Sequence, residues 1–145
     1  ASFSEHPWHL LAGPNSAQEL VDDLRRRAPA HVTVERHRED FPLLLAKAAL
    51  SVSQAGYNTV AEGLAAKVRM VLIPFAAPGE DEQTIRARAL ADKRLAVHLP
   101  EAALSPTTLT DAIRAGLRLN PKDAGFRLDG AERTAAILAE TRLAA

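Results

Sequence analysis

The 145-residue chain contains no cysteine. Disulfide frameworks and thiolate zinc sites are thereby excluded, and the absence fits a reducing compartment such as the cytoplasm. No apolar run approaches the ~20 residues that a membrane-spanning helix requires. Apolar stretches such as Met70 to Ile73 and Leu43 to Ala46 are pieces the size of a strand or a helical turn. Residues Ala1 to Pro7 lack a basic start followed by an apolar run, so no secretory leader is expected. Charge of one sign is also missing. Eighteen basic and eighteen acidic residues cancel, which leaves no global field to attract nucleic acid or anionic lipid. The cluster Arg25-Arg26-Arg27 falls late in an expected helix, where cations suit the macrodipole, and reads as a solvated helix end. The five histidines, at positions 6, 9, 31, 37 and 98, show no metal-ligand spacing. Neither a Walker-type phosphate loop nor a nucleophile elbow occurs. No metal, cofactor or nucleic-acid partner is expected.

What is present is ordinary for a globular protein: 47% hydrophobic and 25% charged residues, enough chain for one domain with one core. Short apolar strands alternate with amphipathic helices. Trp8 to Ala12 reads as a strand ending at the turn cluster Gly13-Pro14-Asn15. A helix capped by Asn15 or Ser16 follows, with Ala17, Leu20, Val21, Leu24 and Ala28 on one face. His31 to Glu35 is the second strand, and Asp40 caps a short helix around Leu43, Leu44 and Ala48. Leu50 to Ser53 forms a third strand, then a helix runs from Asn58 or Thr59. Arg69 to Ile73 is nearly all apolar, as a strand covered on both faces should be. A helix from about Asp81 to Lys93 and a strand from Leu95 to Leu99 come next. Ser105-Pro106 opens another helix, Ser as N-cap and Pro at N1, with Leu109, Ala112, Ile113 and Leu117 inward. Asn120-Pro121 breaks it, and Asp129 caps a last helix from Gly130 to about Leu143. The pattern implies a single α/β domain, Rossmann-like, with a mostly parallel sheet of about five strands and about six or seven helices.

In such a sheet, ligands bind outside the carboxyl ends of the strands. Three loops qualify: after Ala12, after Ser53 and after Ile73. The cleft is expected to be bordered by Gly13, Arg38, Ser53 to Asn58 and Phe75 to Gln83. In the loop after Ser53, Gly56 permits a sharp turn and close backbone approach. The helix start beyond it offers unpaired N–H groups and partial positive charge suited to phosphate, with Ser53, Asn58 and Thr59 as further donors. An ordinary strand-to-helix turn explains the same residues equally well. Thr59 and Glu62 also have the spacing of a capping box. Alternatively, the Glu62 carboxylate accepts both hydroxyls of a ribose. Glu80 to Glu82 need only the helix dipole to explain them, and Gln83 has an amide that can both donate and accept.

Three segments carry a family likeness: Ser51 to Glu62 (SVSQAGYNTVAE), Val71 to Phe75 (VLIPF) and the pair Glu82-Gln83. In this order they resemble the C-terminal, donor-binding domain of family 28 glycosyltransferases of the GT-B fold. The chain resembles the peptidoglycan N-acetylglucosaminyltransferase, and resembles more strongly a related bacterial group of predicted glycosyltransferases of undefined substrate. The likeness covers roughly Trp8 to Leu117. It implies that Gly56, with Ser53, Tyr57, Asn58 and Thr59 around it, lies against the donor diphosphate. It further implies that Glu62 holds the ribose hydroxyls, a role compatible with capping. Glu82 and Gln83 would touch the donor's sugar, Phe75 would be a further donor-binding residue, and the segment around His37 and Arg38 would border the base, largely through its backbone. Two departures stand out. Arg86 occupies a position where many family members have Asn, and the strand and glycine-rich turn that usually open this domain do not precede Trp8. The chain is therefore expected to be a fragment, inactive alone, of an enzyme that moves a hexosyl group from a UDP-sugar. The carbohydrate or lipid-linked acceptor would be bound by a further N-terminal domain, with peripheral membrane contact available to the whole protein. The alternatives are a UDP-GlcNAc 2-epimerase of the same architecture, or a non-catalytic nucleotide-binding module.

Overall fold

The computed structural model describes residues 3–75, 77, 79–121 and 130–143. The chain divides into two compact units, Ala1–Leu43 and Leu44–Ala145. The first contains strand β1 (Trp8–Leu11), helix α1 (Gln18–Arg27) and strand β2 (Val32–Glu35). The strands pair in parallel from Trp8 opposite Val32 to Leu11 opposite Glu35. Gly13, at φ +95°, makes the turn after β1 in a conformation that other residues avoid. Helix α1 buries Val21, but Leu20, expected inward, is half exposed. Its start also differs from expectation. Ala17 is the N-cap and supplies no side-chain bond, while the Ser16 hydroxyl donates back to the Ala12 carbonyl and so is turned away from the helix. The three arginines of the last turn pair with Asp22 and Asp23 on the same helix, at 3.1–3.3 Å, as a solvated helix end does.

Helix α2 (Phe41–Lys47) straddles the boundary between the units and buries Leu45, whereas Leu43 is exposed. The second unit continues with β3 (Ser51–Ser53), α3 (Tyr57–Ala65), β4 (Met70–Leu72), α4 (Glu82–Asp92), β5 (Ala96–His98) and α5 (Pro106–Leu117). A short 3-10 turn, Glu101–Ala103, lies between β5 and α5. Its sheet has the order β3-β4-β5, all parallel. Successive residues of a strand face opposite sides, and β4 shows what covers each. A Cβ on Gly63 of α3 would meet the Met70 sulfur at 2.5 Å. One on Gly116 of α5 would meet Leu50 at 2.5 Å and Val71 at 3.1 Å. Thus α3 and α5 lie on opposite faces of β4, whose three residues are all buried, as the apolar run predicts. The α5 side holds a core of Val71, Leu99 and Ala112, flanked by Leu50, Val52, Ile73, Val97 and Leu109. Leu117, expected inward, is partly exposed, because the helix ends there with Arg118 as its C-cap. Helix α6 (Gly130–Leu143) is the last element; the expected cap at Asp129 lies outside the described residues.

Candidate functional site

The segment between β3 and α3 is held by side chains of α4. Both backbone groups of the fully buried Ala55 are engaged. Its N–H donates to Gln83 Oε1 at 3.1 Å, and its carbonyl accepts from the Arg86 guanidinium at 2.6 Å. The same Gln83 oxygen accepts from the Phe75 N–H, also at 3.1 Å. One amide oxygen therefore ties the ends of β3 and β4 together, and two N–H donors fix which end of the amide is oxygen. The Gln83 amide can in principle both donate and accept. Among the described residues its oxygen is already engaged, which leaves its NH2 to donate.

Gly56 is the N-cap of α3, at φ −60° and ψ 149°. That conformation suits any residue, so the turn itself does not demand glycine; a Cβ would have only Thr59 Oγ1 nearby, at 3.9 Å. Helix α3 thus begins at Tyr57, one or two residues earlier than expected. Thr59 becomes the third helical residue and Glu62 the sixth. No side-chain cap bond is made, so the capping box drops out. The box needs the acidic residue three positions after the cap, and Glu62 sits six after Gly56. The first-turn N–H groups have no intrahelical acceptors. Glu62 is exposed, and Asn58 and Thr59, four and three positions before it, share its side of the helix. Tyr57 is 73% exposed, with the Arg86 guanidinium 5.8 Å from its ring centroid. Glu82 is exposed and only 3.8 Å from Arg86, a weak pairing.

Beside this turn a depression of about 300 Å3 is lined by Val52, Ser53, Gln54, Ile73, Phe75, Glu101 and Leu104. The Ser53 hydroxyl is buried and, among the described residues, has no hydrogen-bond partner. Of the expected site residues the depression gathers only Ser53 and Phe75. Gly56, Tyr57, Asn58, Thr59, Glu62, Glu82 and Gln83 do not line it. Glu101 and Leu104 come from the turn after β5, a further carboxyl-end loop that sequence reasoning passed over, although the rule naming the other loops applies to it equally.

Arg38 belongs to the first unit. Its guanidinium donates twice to Asp40 at 2.8 Å and to both oxygens of Glu35 at 3.0 and 3.2 Å. Glu35 also faces His9 Nδ1 at 3.5 Å. The hydrogen bond from Arg38 holds the Glu35 carboxyl below the usual range against the opposing effect of desolvation. The bonds to Asp40 and Glu35 raise Arg38 above its own ordinary value. No group of three or more His, Asp or Glu residues suited to a metal occurs among the described residues, and no described helix is long and apolar enough to cross a membrane.

Comparison with known proteins gives this arrangement a family. The chain is 36% identical over 118 residues to a UDP-N-acetylglucosamine--N-acetylmuramyl-(pentapeptide) pyrophosphoryl-undecaprenol N-acetylglucosamine transferase of Exiguobacterium sp., covering 80% of this chain and 32% of that protein. It is 31% identical over 129 residues to the protein of the same description in Ralstonia nicotianae, covering 81% of this chain and 35% of the relative. The chain therefore spans about a third of the length of these curated relatives. Among solved structures, Acinetobacter baumannii MurG superposes with a TM-score of 0.59 at 26% identity, over 79% of this chain and 35% of the other. The glycotransferase of kitacinnamycin does so with a TM-score of 0.63 at 23% identity, over 80% and 29%, a likeness of fold. These neighbours carry the GT-B fold expected from the sequence. Residues 6–134 match the model of the glycosyltransferase family 28 C-terminal domain, and the chain belongs to that family.

Proposed function

We propose that this chain is the donor-binding part of a glycosyltransferase, and that α3 receives the diphosphate of a UDP-sugar. The observation that carries the reading is Ala55, gripped on both backbone groups by α4 while the first turn of α3 is left without a side-chain cap. A helix start with free N–H groups and a partial positive charge is suited to an anionic diphosphate. In this reading Gly56, Tyr57, Asn58 and Thr59 surround the diphosphate, with Ser53 close by. Glu62 accepts the two ribose hydroxyls. Glu82 and the NH2 of Gln83 border the sugar, with Phe75 as a further donor-binding residue. Charge developing on the leaving diphosphate is offset by backbone donors and the helix dipole. The hexosyl group then passes by direct displacement to an acceptor held elsewhere in the whole protein. The relatives' descriptions, which name an undecaprenol-linked acceptor, favour a lipid-linked one. A cytoplasmic enzyme making peripheral contact with the membrane would reach such an acceptor.

Calorimetry on the full-length protein tests this. UDP should bind, and Glu62→Gln should weaken it roughly 10- to 150-fold, the equivalent of about 1.5 to 3 kcal/mol for a charged hydrogen-bonding group. With no capping box to lose, the melting temperature should hardly move. A Glu62→Gln protein that binds UDP like the parent would remove Glu62 from the ribose. A parent that binds neither UDP nor a UDP-sugar would remove the function.

A further inference from the structure

We propose that Arg86 is a positioning residue for diphosphate binding, acting through the Ala55 carbonyl; this rests on the donor-binding reading above. An arginine that touched the ligand directly would need its guanidinium available. Here one N–H is directed at Ala55 O at 2.6 Å, another nitrogen lies 3.8 Å from Glu82, and Tyr57 lies 5.8 Å from the guanidinium carbon. Only about a quarter of the side chain is exposed.

The consequence falls on the next peptide. The Ala55 carbonyl and the Gly56 N–H belong to one planar unit. Fixing the carbonyl toward α4 therefore fixes the Gly56 N–H, which points the opposite way from that carbonyl in a trans peptide. Gln83 fixes the peptide before it through the Ala55 N–H. Two adjacent peptide planes are thus set by two side chains one helical turn apart on α4, and the orientation of the first free amides of α3 follows from them. Without Arg86, the peptide between Ala55 and Gly56 can rotate as a unit. The donors then have to be reordered at the moment of binding, a cost that lowers affinity without removing any contact to the ligand. The stacked Tyr57, the first residue of α3, adds a second hold on the same turn.

The test uses the full-length protein, with UDP and uridine as probes, both followed by calorimetry and each variant's melting temperature recorded. Arg86→Ala should weaken UDP about tenfold while uridine, which has no phosphate, binds as to the parent. Arg86→Gln, a neutral donor that can still reach the Ala55 carbonyl, should recover part of the UDP affinity, as should Arg86→Lys. Unchanged UDP affinity in Arg86→Ala would overturn the proposal. So would equal losses for UDP and uridine accompanied by a fall in melting temperature, the mark of a merely structural residue. Recovery by Lys but not by Gln would also overturn it, by assigning Arg86 a direct charge contact with phosphate; this pair decides the matter even if Arg86→Ala does not fold. Failure of the parent to bind UDP would sink the donor-binding reading and this inference together, whereas a parent that binds beside an unaffected Arg86→Ala sinks this inference alone.

Discussion

Helices α3 and α5 each follow a strand of the same three-stranded sheet, yet their first turns are built on different plans. At α5 the chain satisfies itself. The Ser105 hydroxyl accepts from the Thr108 N–H at 3.1 Å, Thr108 Oγ1 accepts from the Ser105 N–H at 2.9 Å, and Pro106 occupies the first helical position, where no N–H is needed. At α3 no side chain closes the turn. Lack of a side-chain cap does not by itself single out α3, since α1 and α4 also lack one. The difference lies upstream. The residue before the N-cap of α3 is gripped from α4 on both its N–H and its carbonyl. A turn held that firmly from outside, and left open at its tip, is what the proposed diphosphate site requires.

Substitution can sharpen this contrast. Ser105→Ala should cost about 1 kcal/mol of stability, the usual worth of a side-chain N-cap, and leave UDP binding unchanged. Thermal unfolding and calorimetry on the full-length protein check both halves. A loss of UDP affinity there would mean that the two helix starts are not separate in function. A smaller effect is expected from acid in the first unit. The Glu35 carboxyl is held below its ordinary value by its hydrogen bond from Arg38. Its stabilising contribution is therefore fully present above the ordinary carboxylate range, and is lost as the pH falls through the lowered value of the folded state. These groups are only partly covered and solvent screens them, so the change is modest. Unfolding curves taken across that acidic window should show a slightly smaller loss of stability in Arg38→Gln than in the parent.

Much of this molecule was readable from local pattern. The alternation of strands and helices, the buried run at β4 and the cap at Ser105-Pro106 all follow from residues adjacent in sequence, and the structure contains them. What escaped depends on backbone placement or on distant contacts. Asn15, Ser16 and Thr59 have capping chemistry, but whether a hydroxyl or amide caps depends on where the helix starts. Ala17 and Gly56 took the cap positions instead. The loop after Ser53 could be read as a candidate ligand loop, yet the device that fixes it could not, because Gln83 and Arg86 reach Ala55 from 28 and 31 residues away. Leu20 and Leu117 lie on faces that the periodicity turned inward, yet they are exposed, because periodicity marks a face without saying how much of it a neighbour covers. Glu101 and Leu104 at the depression followed from the carboxyl-end rule but not from any motif.

The central claim is that the open first turn of α3 receives the diphosphate, and backbone amide NMR of the full-length protein reads it directly. On titration with UDP the amide signals of Gly56, Tyr57, Asn58 and Thr59 should shift strongly, those of Thr107 and Thr108 at the capped α5 should stay in place, and uridine should leave all of them nearly unmoved. Saturable binding of UDP with the Gly56 to Thr59 amides undisturbed would contradict the account, because the diphosphate would then be held elsewhere.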